Sequence, residues 1–247
     1  MSILFIADVH LCHSKPNIIN GFFHFLNHYA INAQALYILG DLFEIWLGDD
    51  NQNSLQNHVA QNLKLLNKKK IPCYFIPGNH DFLLGSQYAD SCGIILLPDK
   101  QVLKLPSGNN ILILHGDSLC IHDTSYQKFQ KILRHYAFQK LFLSLPLFIR
   151  SYIFNTVYAY CIKNKQNKQK NKFNIDPQII INILTQTQSR IMIHGHTHQT
   201  AIHNIHYSKK IIFKRVVLGC WDRYGSVVEI NDRNNNLTLI KFPLNCK

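Results

Sequence analysis

The sequence predicts an α/β fold, and three observations carry that expectation. Short apolar runs recur along the chain. Most of them end in a polar cluster: SILFIA is followed by DVH, ALYIL by GDLFE, CYFIP by GNHD, NILIL by HGD and RIMI by HGHTH. Helical patterns lie between the early runs. Apolar runs of this length suit buried strands, and their alternation with helices suits a sheet with helices packed on it.

Taken in order, Ser2–Ala7 is the first strand and a helix is expected from about Asn17 to Ile31. Ala35–Leu39 is a second strand, followed by a helix from Ser54 to Lys69. Strands at Cys73–Pro77, Asn110–Leu114 and Arg190–Ile193 come next. The last third (IIFKRVVLGCW, GSVVEI, LTLIKF) reads as further strands, with turns at Gly219, Gly225 and Asn234–Asn236. One segment breaks the pattern. Residues of about 124–172 form a helical insert, with LFLSLPLFIRSYIFNTVYAYCI interrupted by Pro146 and followed by the polar run KNKQNKQKNK. A new helix is expected at Asp176-Pro177, with Asp as N-cap and Pro at the first helical position. No internal repeat is visible, and the whole chain, 1–247, is expected to be one domain carrying that insert.

Composition narrows the class. A hydrophobic content of 47% is ample for a core in 247 residues. The formal net charge of +12 points to nucleic acid, anionic lipid or phosphorylated substrates. Lys, Asn and Ile are abundant and share AT-rich codons, so codon bias accounts for part of that charge. The seven cysteines are odd in number and scattered, with no C-x-x-C. That favours reduced thiols in a cytosolic protein over a disulfide framework or a zinc ribbon. The N-terminus lacks a basic n-region, so no signal peptide is expected. No apolar run reaches the ~20 residues of a spanning helix, so the chain is expected to be soluble or peripheral to a membrane.

In α/β folds the loops at strand C-termini build the site. The polar clusters there are Asp8-x-His10, Gly40-Asp41, Gly78-Asn79-His80-Asp81, His115-Gly116-Asp117 and Gly195-His196-x-His198. Each block alone is weak. All five in order, each at a strand end, indicate a distributed metal site of imidazoles and carboxylates. A mixed O/N donor set without thiolate suits Mn²⁺, with Fe, Zn or Mg as alternatives.

These residues resemble the calcineurin-like metallophosphoesterases, whose pattern runs D-x-H, G-D, G-N-H-D, H and G-H-x-H. The stretches LFIADVHLC, ALYILGDLFEIWLGDD, PCYFIPGNHDFLLG, LHGDSLC, IHGHTHQTAIH and RVVLG are further similar to the UDP-2,3-diacylglucosamine pyrophosphohydrolase family of lipid A synthesis. The resemblance implies a four-layer αββα sandwich with the helical insert as a cap, and two Mn²⁺ ions. Two adjacent cations need a carboxylate between them, and the family pattern makes that Asp41. Asp8, His10 and His198 would complete one metal site, and Asn79, His115 and His196 the other. Asn79 and His80 would be the catalytic residues, and both would touch substrate together with His196, Asp123, Cys161, Lys165 and Lys168. The implied reaction releases UMP and 2,3-diacylglucosamine 1-phosphate, by attack of a dimetal-bound hydroxide on the phosphorus next to uridine. The implied setting is the cytoplasmic face of the inner membrane, with a monomer bound to an anionic surface and no nucleic-acid partner.

The chain departs from that family at three places. His80 stands where these enzymes carry Arg, and Cys161 and Lys165 stand where they tend to have Ser and Asn. His194 falls outside G-H-x-H and is expected to support the strand end. Asp81 and Asp117 are expected to hold loops, and Asp49 and Asp50 to form a polar turn. The apolar run from Leu141 to Ile149 is expected either as ordinary helix packing or as a groove for acyl chains. Arg150, Lys163, Lys165, Lys168, Lys170 and Lys172 are expected at anionic headgroups. Two other functions compete: a nucleic-acid phosphodiesterase, suggested by the charge, and a metal-binding scaffold without catalysis. Against the first, the aromatics sit in greasy runs rather than interleaved with a basic stripe. Against the second, a scaffold has no use for an open binuclear site.

Overall fold

A computed structural model describes residues 2–105, 108–119, 124–166, 175–208, 210–231 and 236–244; within 124–126, 128–129 and 158–166 only the backbone is described. Two sheets make the centre. The first has the order β11-β10-β1-β2-β3-β4 and the second β5-β6-β7-β9-β8. Their strands are β1 (Ser2–Ile6), β2 (Ala35–Ile38), β3 (Cys73–Phe75), β4 (Ile94–Leu96), β5 (Lys100–Lys104), β6 (Asn110–Leu114), β7 (Ile191–His194), β8 (Ala201–His206), β9 (Ile212–Val217), β10 (Tyr224–Asn231) and β11 (Leu237–Pro243). β1 to β4 run parallel, as do β6, β7 and β9.

Side chains alternate across a strand, so a strand buried on both faces is apolar throughout. In β1, Phe5 points between the sheets and Leu4 and Ile6 point to helices. In β6, Ile111 and Ile113 meet Phe5, Leu39 and Ile193 between the sheets, while Leu112 and Leu114 face a helix. Three helices cover the first sheet: α1 (Pro16–His28), α2 (Ser54–Lys68) and α3 (Ser86–Cys92). The helix α7 (Pro177–Gln186) covers the second through Ile180 and Leu184. The layers are therefore α, β, β, α.

Helix ends follow local chemistry. Asn53 and Gln56 form a capping box at α2, with hydrogen bonds of 2.8 and 3.1 Å. Asp176 accepts from the Gln178 N–H at 2.8 Å, and Pro177 opens α7. The first helix stops at His28, earlier than its pattern suggests, and residues 30–32 continue as a 3-10 turn. The insert comprises α4 (Thr124–Leu133), α5 (Tyr136–Leu143) and α6 (Leu147–Gln166), with Pro146 just before α6. No described helix is long and apolar enough to cross a membrane.

Candidate metal centre

Asp8 follows β1, Asp41 follows β2, Asn79 follows β3, His115 follows β6, and His196 and His198 follow β7. The parallel strands bring these ends to one side of the sandwich, which is why residues nearly 190 positions apart meet. The backbone then turns each side chain inward. Asp8, His10, Asp41, His196 and His198 all have φ between +52° and +64°, a region that Asp, Asn and His enter more readily than other side chains. Two glycines allow the loops to close. A Cβ on Gly78 would collide with the Asp41 carboxylate, and one on Gly195 with that of Asp8.

Asp41 lies between two groups of candidate ligands. Its Oδ2 is 3.8 Å from His10 Nε2 and 3.5 Å from His115 Nε2, while its Oδ1 accepts from the His80 N–H at 2.8 Å. On one side, His198 Nε2 is 3.4 Å from Asp8 Oδ1. On the other, Asn79 Oδ1 is 3.0 Å from His115 Nε2 and 2.8 Å from His196 Nδ1. Donor atoms of Asp8, Asp41 and His115 lie within 4.8 Å of one another, as do those of His10, Asp41 and His80. His10 provides the fit test for a cation. It is 6% exposed, and neither ring nitrogen has a hydrogen-bond partner. An imidazole buried without partners costs free energy unless something else satisfies it. A cation among these donors would do so.

The electrostatics are those of a site built for positive charge. Burial would raise the Asp8 carboxyl, but His198, His115 and His10 outweigh burial and hold it below its usual value. Burial likewise opposes a charged His115, but Asp41, Asp117 and Asp8 push it up to about 9. Burial, with His115 adding repulsion, takes His196 down to about 4. Burial also depresses His10, against the pull of Asp41. Both shifts favour the neutral imidazole, the form able to bind a metal.

The supporting shell matches the sequence in part. His194 is fully buried. Its Nδ1 donates to the Gly195 carbonyl at 2.8 Å and its Nε2 accepts from Arg215 Nε at 2.9 Å, which fixes a neutral tautomer. Asp81 accepts the N–H groups of Asp41 (3.1 Å), Leu42 (2.7 Å) and Gly78 (2.8 Å), so it shapes two ligand loops at once. Asp117 accepts from the Ser118 N–H at 2.9 Å and from Arg134 Nη2 at 2.7 Å. His80 Nδ1 lies 2.7 Å from the Glu44 carbonyl. A carbonyl only accepts, so Nδ1 carries a proton and Nε2 is the nitrogen left for the centre.

Other expectations are corrected. Asp49 and Asp50 are more than a polar turn. Asp49 accepts from Trp46 Nε1 (3.1 Å), Gly85 N (2.9 Å) and Tyr88 N (3.0 Å), and Asp50 pairs with Arg150. Arg150 was expected at headgroups, yet it is buried in the body of the protein. The run Leu141–Ile149 is packed only in part: Phe142 lies against the core, whereas Leu141 is 66% and Phe148 73% exposed and α5 has no buried residue. Asp123 and Lys168, with Lys170 and Lys172, lie outside the described residues. Cys161, Lys163 and Lys165 fall on the last part of α6, residues 158–166, whose side chains are not described. Sequence reasoning missed Cys220, whose Sγ lies within 4.8 Å of nitrogens of His10 and His198. It also missed Glu44, 3.7 Å from His10 Nδ1. Cys220 lies outside the strand-end clusters, and Glu44, although within GDLFE, stands three residues beyond the Asp that marked it.

The sequence model of the calcineurin-like phosphoesterases matches residues 1–200. A protein of Blochmanniella floridana named UDP-2,3-diacylglucosamine hydrolase is 60% identical over 245 residues, covering 99% of both chains. Proteins of the same name from Sodalis glossinidius and Yersinia pseudotuberculosis are 46% and 45% identical, over 94% and 98% of this chain and 95% and 100% of theirs. This chain belongs to the UDP-2,3-diacylglucosamine hydrolase family of calcineurin-like phosphoesterases. Among solved structures, a dimetal phosphatase from Danio rerio superposes with a TM-score of 0.51 at 9% identity, over 99% of this chain and 96% of that one, a likeness of fold. Membership in the family makes the chain a hydrolase whose fold takes divalent metal ions, and Asp8, His10, Asp41, His80, His115, His198 and Cys220 form groups that could hold such ions.

Proposed function

We propose that this chain hydrolyses the pyrophosphate bond of UDP-2,3-diacylglucosamine, giving UMP and 2,3-diacylglucosamine 1-phosphate for lipid A synthesis. The observation that carries the reading is the juxtaposition of Asp41 Oδ2 with both His10 and His115, beside an insert that exposes Leu141 and Phe148. We assign Asp8, His10, Asp41 and His198 to one Mn²⁺ and Asp41, Asn79, His115 and His196 to a second, with Asp41 shared. Such a pair of ions supplies an acidified water and neutralises charge on phosphoryl oxygens.

The chain's own groups do the rest. Hydrolysis adds one water. Its oxygen joins the phosphorus next to uridine, the bond from that phosphorus to the bridging oxygen breaks, and the bridging oxygen leaves with the sugar phosphate. Asp81 and Gly78 hold the Asp41 and Asn79 loops at the spacing this requires. His80, fixed through Nδ1, presents Nε2 to the diphosphate as a positioning group. Asn79 touches the same phosphate. The helical insert acts as a cap whose apolar face takes the acyl chains and meets an anionic membrane surface, each buried CH₂ contributing about 0.8 kcal/mol. The protein acts as a monomer, peripheral to the cytoplasmic face of the inner membrane.

The test is Mn²⁺-dependent release of UMP from UDP-2,3-diacylglucosamine, run beside single-stranded DNA and bis-p-nitrophenyl phosphate. In ¹⁸O water the label should enter UMP. Label in the sugar phosphate would reverse the assigned orientation, and preference for DNA would replace the reading with a nuclease.

A further inference from the structure

Among the side chains from Lys131 to Val157, Arg150 alone is buried. This inverts the usual logic of a packed helix, whose apolar face is hidden and whose charges are outside. Here Tyr136, Leu141, Phe148 and Tyr152 are exposed, and an arginine is the residue driven into the body. Its guanidinium meets the loop between β2 and α2. Nη1 donates to the Leu47 carbonyl at 2.6 Å and to Asp50 Oδ1 at 2.8 Å, and Nη2 donates to Asp50 Oδ2. The fork is bidentate, a geometry lysine cannot reproduce.

The receiving loop is shaped around this group. Gly48 has φ +134°, and a Cβ there would strike Arg150 Nη1 and come within 2.7 Å of Asp50 Oδ1. The loop is itself immobilised. Asp49 ties it to Trp46 and to the N–H groups of Gly85 and Tyr88. It is also tied to the centre, since the Trp46 backbone N–H donates to the His80 carbonyl at 3.2 Å and the Glu44 carbonyl accepts from His80. Arg150 is thus the buried link between α6 and the loop that leads from Asp41.

We propose that Arg150 is a latch that sets the cap over the metal centre, with the Leu47 carbonyl, Gly48 and Asp50 as its seat, and that it governs recognition of the acylated substrate rather than the chemistry at phosphorus. The second half rests on the proposed function. Arg150 does not touch the reacting atoms; it positions the helices that would. An apolar seat would resist opening by re-exposing hydrocarbon to water. A polar seat can be replaced by water, and Asp50, 59% exposed, is already wetted. Arg134, paired with Asp117, and Phe142, packed on the core, anchor the first part of the insert, and Arg150 supplies the corresponding buried anchor of α6.

The experiment uses the full chain loaded with Mn²⁺, and variants Arg150→Ala, Arg150→Lys, Gly48→Ala and the exchange Arg150→Asp with Asp50→Arg. Two readouts are taken: kinetics on UDP-2,3-diacylglucosamine and on bis-p-nitrophenyl phosphate, and amide hydrogen exchange across residues 131–157. Arg150→Ala should raise KM for the diacyl substrate by about tenfold or more, leave kcat/KM on the soluble diester and metal content unchanged, and speed exchange in the cap. Lysine should rescue only in part, and Gly48→Ala should mimic the arginine loss. The exchanged pair should recover more than either single change. Equal losses on both substrates, or unchanged cap exchange in Arg150→Ala, would overturn the latch. If the unaltered protein releases no UMP from the diacyl substrate, the proposed function fails, whereas the exchange data still decide whether Arg150 holds the cap.

Discussion

In the loops that carry the candidate ligands, Asp8, Asp41, Asp81, Asp117, His115 and His194 are all buried, each with a hydrogen bond or a charged neighbour. In the helical insert the order is reversed: Leu141, Phe148 and Tyr152 face solvent and Arg150 is inside. Burying carboxylates and imidazoles is costly unless they are compensated. The loops compensate them with backbone N–H groups and with one another, yet leave both nitrogens of His10 unsatisfied. Exposed apolar residues also signal a missing partner. On the proposed function the two regions take opposite complements, cations in the first and hydrocarbon in the second.

The comparison can be broken most severely at Asp41. Asp41→Ala should lower kcat/KM on the order of a thousandfold or more, and metal analysis should show loss at both positions. A variant that kept two ions and full turnover would end the shared-carboxylate assignment. Next in size is Asp81→Ala, which strips an acceptor from three loop N–H groups. Metal affinity should fall by about 10–100-fold, as for outer partners of metal ligands, measured by calorimetric titration. In the insert, Leu141→Ser with Phe148→Ser should weaken liposome binding and hydrolysis of the diacyl substrate. Denaturant unfolding should move by less than about 0.5 kcal/mol, because the side chains are exposed. Leu63→Ala, in the core of α2, should cost about 2–5 kcal/mol in the same measurement. The smallest change is expected from His80→Arg. If His80 only positions diphosphate, turnover should be preserved or slightly raised. A large fall in kcat with metals still bound would instead make His80 a proton donor, a role arginine cannot take.

Much of the sandwich could be read directly, because a strand buried on both faces must be apolar and must stop where the chain turns polar. β1, β2, β3, β6 and β7 obey this. β4 is only three residues, and β8, reading AIHNIH, lies at a sheet edge with most of its residues exposed. β4, Ile94–Leu96, is apolar but too short to stand out, β8 lacks the apolar signature, and both escaped. The convergence of the polar clusters was legible because the ends of parallel strands dictate where Asp8, Asp41, Asn79, His115 and His196 come together. Asp49, Asp50 and Arg150 were not. Their roles depend on a partner 36 or 100 positions away, and nothing local separates an arginine bound for a headgroup from one bound for a carboxylate. One clue was present: Arg150 is a lone charge inside the apolar segment LPLFIRSYIF.

The left-handed backbone at Asp8, His10, Asp41, His196 and His198 has a consequence for how this protein tolerates mutation. Each such conformation is held at a cost of order 1 kcal/mol or more by the sheets around it. Glycine adopts it without that cost. On the proposed ligand assignment, folding and turnover select opposite residues at these five positions. A library of variants selected only for heat resistance without added metal should drift toward glycine there. It should enrich sturdier and inactive proteins, while one selected with cations present should keep aspartate and histidine, because ligand binding repays the strain.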